Sequence, residues 1–186
     1  KPKMIPPESD SINDPVIRRM RELVTRINPG LKGDIAEIKI IETGHGAIMI
    51  SLPESILFQS GEARVRSEAL PLLKALANVL IEMGRHIRIL GPTDNVPIRT
   101  AQFPSNWELS AVRAVMVVRI FSELYEVPIT HLSATGFADS KPVATNDTPE
   151  GRTKNRRVEI IVLESHASEE TLDALLPKEN ASAPLP

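Results

Sequence analysis

Residues 86–137 constrain this chain more than any other stretch. Residues 86–90 read as a short strand, broken by Gly91-Pro92. Ser105-Asn106-Trp107-Glu108 then has the form of a capping box: a serine at the helix entrance and a glutamate three residues later, each able to bond the other's backbone N–H. The helix it opens is expected to run to about Glu126, with Ala111, Val115, Val118 and Leu124 or Phe121 as its buried side. Residues 133–137 read as the next strand. Two strands joined through a helix pair in parallel, and such a crossover is nearly always right-handed. Parallel strands must be covered, so the rest of the chain has to supply more sheet and a helical layer.

The flanking segments do so. Residues 35–41 and 47–52 read as strands around Glu42-Thr43-Gly44-His45-Gly46, a hairpin turn. Gly44-His45-Gly46 lacks the third glycine of a phosphate-binding fingerprint. Residues 67–83 are helical, with Leu72, Leu76, Leu80 and Met83 on one face and Leu73 widening it. Pro71 belongs in the first turn and Gly84 ends the helix. Thr148-Pro149-Glu150 predicts a single helical turn. Residues 158–163, aliphatic except for Glu159, read as a strand in the middle of a sheet. Ahead of all this, Asp14-Pro15 opens a short amphipathic helix carrying Val16, Met20, Leu23 and Ile27, stopped by Asn28-Pro29-Gly30. That helix is either a packing element or a linker that docks and releases. The expected architecture is α+β: a mixed β-sheet with helices packed on one face, a two-layer sandwich.

Many of the 16 prolines sit near the chain ends. Residues 1–30 therefore read as a linker with its short helix, 31–165 as the domain and 166–186 as a disordered tail. The start at Lys1 reads as a cut inside a longer protein. Aromatics are 3% of the 186 residues, so the core must be aliphatic. With 22 basic against 24 acidic residues, no global field draws the chain onto DNA or an anionic membrane. The absence of cysteine excludes disulfides and thiolate chemistry. The four histidines (His45, His86, His131, His166) have no second ligand at a metal-binding spacing, so neither metal nor cofactor is expected. Signatures of serine hydrolases, zinc proteases and P-loops are missing.

A dense polar stretch lies between two apolar elements: Gly91-Pro92-Thr93-Asp94-Asn95, then residues 103–110, then Arg113. Asp94 follows the C-terminal end of a strand in a parallel unit, the edge where such sheets bind ligands. Asn106, Ser110 and Arg113 share one helical face. An acid on the loop and an arginine on the helix can thus meet a zwitterion, the acid taking its ammonium and the guanidinium its carboxylate. Equally, Asp94 can cap its own turn and Arg113 can be a surface charge.

In order along the chain, Thr93-Asp94-Asn95, Leu109-Ser110 with Arg113-Ala114, and Gly151-Arg152 with Asn155-Arg156-Arg157-Val158-Glu159 resemble the motifs of the OmpA-like peptidoglycan-binding domain. The resemblance covers roughly residues 48–163. Asn95-Val96-Pro97-Ile98, followed by Phe103-Pro104-Ser105-Asn106-Trp107-Glu108-Leu109-Ser110, is similar to the flagellar stator family of MotB and the sodium-driven PomB. The resemblance implies a non-catalytic wall anchor that binds the diaminopimelate of the peptidoglycan stem peptide, with Asp94 and Arg113 as the key pair. Thr93, Asn95 and Asn106 would support them. Of Arg156 and Arg157, one would brace the loop and the other line the cleft; a nucleic-acid patch there would lack the aromatic platform such sites use. The resemblance further implies a homodimer, and a periplasmic domain of a single-pass inner-membrane protein. Its transmembrane helix would pair with a MotA- or PomA-like channel subunit. An outer-membrane lipoprotein or secretion-system anchor is the alternative job for the same module. A wall hydrolase would need a second carboxylate, and Glu108 is engaged in the capping box. Pro92 stands where the family usually has histidine. Asp94→Asn and Arg113→Ala are expected to leave the fold intact and abolish wall retention.

Overall fold

The computed structural model describes residues 15–27, 38–43 and 46–163. The expectations for Asp14, Gly44, His45, the 28–30 helix stop and the two chain ends lie outside those residues. In chain order the elements are α1 (Pro15–Ile27), β1 (Lys39–Glu42), β2 (Ile48–Pro53), α2 (Glu54–Leu57), α3 (Leu70–Met83), β3 (Ile87–Gly91), α4 (Asn106–Arg119), β4 (Leu132–Gly136), α5 (Pro149–Asn155) and β5 (Arg157–Val162). The strands form one mixed sheet in the order β1-β2-β5-β3-β4. Only the β3–β4 pair is parallel; β1–β2, β2–β5 and β5–β3 are antiparallel.

The aliphatic run places β5 at the centre, between β2 and β3. Its Val158, Ile160 and Val162 are buried against Ile50, Leu52 and Ile89 of the neighbouring strands. Leu72, Leu73, Leu76 and Leu80 of α3 close the core from the helical layer. Pro71 sits in the first turn of α3, and Gly84 ends the helix at φ 59°, a left-handed conformation that glycine adopts without steric cost. The helix α1 joins the same core through Ile17, Met20 and Val24, with Val16 and Leu23 only half-buried. Arg21 donates to the Ile40 carbonyl and Arg19 pairs with Glu82 of α3. The predicted single turn at Pro149 is longer, spanning seven residues.

The inward face of α4 differs from the sequence expectation. Leu109, Ser110, Arg113, Ala114 and Val117 are buried, followed by Phe121, whereas Val115 and Leu124 are exposed. The hydrophobic pattern misleads because two inward positions are polar. What seats this face is a glycine pair. Gly91 and Gly136 are partners in the β3–β4 register. A Cβ on Gly91 would overlap the Ser110 carbonyl, and one on Gly136 would press on the Ser110 hydroxyl and the Ala111 backbone. Only bare backbone lets α4 settle this deeply on the sheet. Beyond Arg119 the helix continues as a π-turn, Ile120–Leu124, which tucks Phe121 into the core.

Candidate functional site

Three strand ends converge at one edge of the sheet. Pro53 at the end of β2 is paired with Arg157 at the start of β5. The N–H of Glu54, the next residue, donates to the Arg156 carbonyl at 3.0 Å. On the other side, the Arg157 N–H reaches the Pro92 carbonyl just past β3. Glu54, Arg156 and Asp94 are thereby brought together from positions far apart in sequence. The loop carrying Asp94 is firmly held. The Thr93 N–H donates to the Ala138 carbonyl at 2.6 Å, and its hydroxyl to the Asp94 carbonyl at 2.8 Å. Asn106 donates to the carbonyls of Asp94 and Val96 at 3.3 and 2.9 Å. Because Pro92 contributes only a carbonyl to this exit from β3, its missing N–H leaves no bond unmade.

The side chains form a line of alternating charge. Asp94 accepts from the Val96 N–H through Oδ1 and from Arg156 Nη1 through Oδ2, at 3.1 and 2.7 Å. Arg156 Nε lies 3.4 Å from Glu54 Oε2, and Glu54 Oε1 accepts from Arg113 Nη2 at 2.5 Å. Arg113 is enclosed: Nε donates to the Glu62 carbonyl at 2.8 Å, and the guanidinium lies 5.1 Å from the centre of the Phe58 ring. Glu54, Asp94 and Arg113 are all buried, whereas the Arg156 side chain is 35% exposed. A cleft of about 460 Å³ opens beside this line, with Glu54, Phe58, Gln59, Arg66, Thr153 and Arg156 among its lining residues.

The expected confrontation of Asp94 with Arg113 across open space is therefore replaced by a relay. Glu54 stands between them as an internal counter-ion, and Arg156 bridges the two acids. Arg113 is a buried, paired charge rather than a free guanidinium, so Arg113→Ala cannot leave the fold undisturbed: it would strand Glu54. Asn95 is exposed. Arg157 faces away from the cleft and bonds Glu159, the Asn155 carbonyl and the Lys141 carbonyl. Glu54 was missed by sequence reasoning. Its signal was a lone acid which, Ser55 apart, stands among apolar residues from Leu52 to Phe58. The capping box is present, and the hydroxyl of Ser105 bonded to Glu108 holds that carboxyl below the usual glutamate range.

A five-stranded mixed sheet with one helical layer, and an edge cleft lined by Glu54, Arg66 and Arg156, defines an α+β domain with a charged cleft at the sheet edge. Residues 57–156 match the model described as the OmpA family, and the chain belongs to that family. It is 45% identical over 123 residues to Motility protein B of Bacillus subtilis (strain 168), covering 66% of this chain and 47% of that protein. Among solved structures, the cell wall anchor of the T6SS from Pseudomonas aeruginosa is 34% identical, with a TM-score of 0.66 over 77% of this chain and 98% of that one. The periplasmic domain of Helicobacter pylori MotB (residues 90–256) is 25% identical, with a TM-score of 0.65 over 81% of this chain and 91% of that one. The chain spans about half the length of the curated relatives it matches.

Proposed function

We propose that this chain is the periplasmic wall-binding domain of a flagellar stator protein, which fastens an ion-channel complex to peptidoglycan so that ion flow turns the rotor. The observation that carries the reading is the relay Arg113–Glu54–Arg156–Asp94 beside an open cleft. It sets an anion and a cation, Glu54 and Arg156, on the wall of the cleft with Arg113 and Asp94 paired behind them, a complement to a residue bearing both an ammonium and a carboxylate. Diaminopimelate in a stem peptide is such a residue. Thr93 and Asn106 fix the Asp94 loop, Arg156 lines the cleft and Arg157 braces the loop behind it. The 45% identity to Motility protein B supports the motor assignment. A homodimer and a MotA- or PomA-like channel subunit, joined through a transmembrane helix outside this chain, are the partners this reading carries. No helix among the described residues is long and apolar enough to cross a membrane.

The test is co-sedimentation with purified peptidoglycan. Asp94→Asn keeps an acceptor for the Val96 N–H but removes the charge facing Arg156. It is expected to remain folded and to lose about 10- to 100-fold in wall affinity, the worth of a charged hydrogen bond. Undiminished sedimentation of a folded Asp94→Asn protein would remove the site. The likeness to the T6SS wall anchor favours a second reading, the same grip in a secretion system. Grafting the domain onto the membrane segment of a motile bacterium's own stator protein separates the two: restored swimming supports the motor, and wall binding without swimming supports the secretion anchor.

A further inference from the structure

We infer that Glu54 and Asp94 together form a two-carboxylate seat for the free ammonium group of the wall ligand, a seat that Arg156 fills while the ligand is absent. The inference rests on the wall-binding reading above and names the group that reads the ligand's amine. Three observations carry it. First, one guanidinium touches both acids: Arg156 Nη1 at 2.7 Å from Asp94 Oδ2, and Nε at 3.4 Å from Glu54 Oε2. Second, the contacts are unequal. The one to Asp94 is a hydrogen bond, while Glu54 Oε2 is the sole buried side-chain polar atom among the described residues with no hydrogen-bond partner. A buried carboxylate oxygen left without a donor is costly, and native structures seldom tolerate one without a reason. Third, the parts differ in freedom. Glu54 is clamped from behind by Arg113 and is 6% exposed, whereas Arg156 reaches in from the cleft wall with a 35% exposed side chain.

The chemistry follows from shape. A guanidinium is a rigid planar fork and satisfies Asp94 while missing alignment with Glu54. An alkylammonium is a compact charge with three rotatable donors, able to serve both oxygens at once. When it enters, positive charge replaces positive charge between the acids, so the buried charge balance is kept. Arg156 swings into the cleft, where Arg66 is the other lining cation, and the two face the ligand's carboxylate.

The experiment measures, by calorimetry, binding of a soluble tripeptide that ends in diaminopimelate with its side-chain amine free, and of the same peptide acetylated on that amine. Acetylation is expected to weaken binding to the unaltered domain by about 10- to 100-fold, as loss of a charged hydrogen bond does. For Glu54→Gln the two peptides are expected to bind within about 3-fold of each other. A folded Glu54→Gln protein that still discriminates as strongly as the unaltered one overturns the inference and leaves the wall reading standing. Failure of the unaltered domain to bind either peptide overturns both. Should Glu54→Gln not fold, the carbon-13 carboxyl resonance of Glu54 in the unaltered domain decides. A shift with the free-amine peptide and none with the acetylated one supports the seat; equal behaviour with both overturns it.

Discussion

Arg156 and Arg157 are neighbours in sequence, yet they serve two networks of opposite character. Entering β5, successive side chains point to opposite faces, so one arginine meets the cleft and the other the loop of residues 141–146. The loop network is complete. Arg157 donates from Nε, Nη1 and Nη2 to Glu159, the Asn155 carbonyl and the Lys141 carbonyl. Asn155 uses its full capacity, accepting from the N–H groups of Val143 and Ala144 and donating to the Ala144 carbonyl and Asn146. The cleft network is not complete. It has an orphaned carboxylate oxygen and a partly exposed arginine that reaches one acid well and the other poorly. A fully bonded buried network holds a shape; one with an unfilled acceptor next to open space is prepared for something to arrive.

The sharpest way to break this contrast is to damage the complete network. Asn155→Ala removes an acceptor from two backbone N–H groups and donors from two oxygens in one stroke. The expected loss of folding stability is about 3–5 kcal/mol, read by chemical denaturation, because several buried polar groups lose partners together. The fraction that stays folded should bind peptidoglycan with unchanged affinity. If affinity fell with the fold intact, the loop network would belong to the site and the contrast would be false.

Arg113→Ala should cost somewhat less stability and all of the binding. It leaves Glu54 as a buried acid facing only the imperfect Arg156, for an expected loss toward the lower end of the roughly 3–5 kcal/mol that a broken buried ion pair costs. The double replacement Arg113→Met with Glu54→Gln removes both charges and keeps the volume. It should recover most of that stability, since apolar or neutral replacement of a buried pair is often tolerated, but none of the wall affinity. Denaturation and co-sedimentation of the same three proteins measure the two quantities separately. Recovery of binding along with stability would make Arg113 and Glu54 mere scaffolding.

Much of this was readable before any coordinates. The capping box at Ser105, the glycine stop at Gly84 and the aliphatic run ending at Val162 each announce one local structure, because each depends on bonds or packing within a few residues. Asp94 was legible through topology, as the acid following the end of a parallel strand. The relay was not. Glu54 and Arg156 are joined by the register of β2 against β5, which no local pattern encodes. The burial of Arg113 was hidden for a related reason. With Ser110 and Arg113 facing inward and Val112 and Val115 facing out, the polarity of α4 is inverted along its first turns. A site that buries charge necessarily corrupts the hydrophobic pattern used to find the buried face, so the misread helix face was itself a mark of the site.

The smallest expected effect comes from a third acid, which belongs to neither network and sharpens what burial contributes to both. Glu108 accepts from the Ser105 N–H at 2.8 Å and bonds its hydroxyl at the entrance of α4. The Ser105 hydroxyl, then the backbone, hold its carboxyl below the ordinary value of 4.5. A carboxylate whose folded pKa is depressed stabilises the fold fully above its unfolded value, and the contribution fades as pH falls through the folded one. Thermal unfolding between pH 6 and pH 3 should therefore show an acid-side decline that Glu108→Gln makes shallower, and Ser105→Ala should cost about 1 kcal/mol at neutral pH as a lost cap. Glu108 is fully exposed to solvent, so neither change should disturb the cleft. Wall binding at pH 7 by Glu108→Gln should match the unaltered domain, which would locate recognition in the buried acids Glu54 and Asp94. Weaker binding would instead mean that the entrance of α4, with Asn106 holding the Asp94 loop, is coupled to the ligand, and that the boundary between the site and its scaffold lies one helical turn further out.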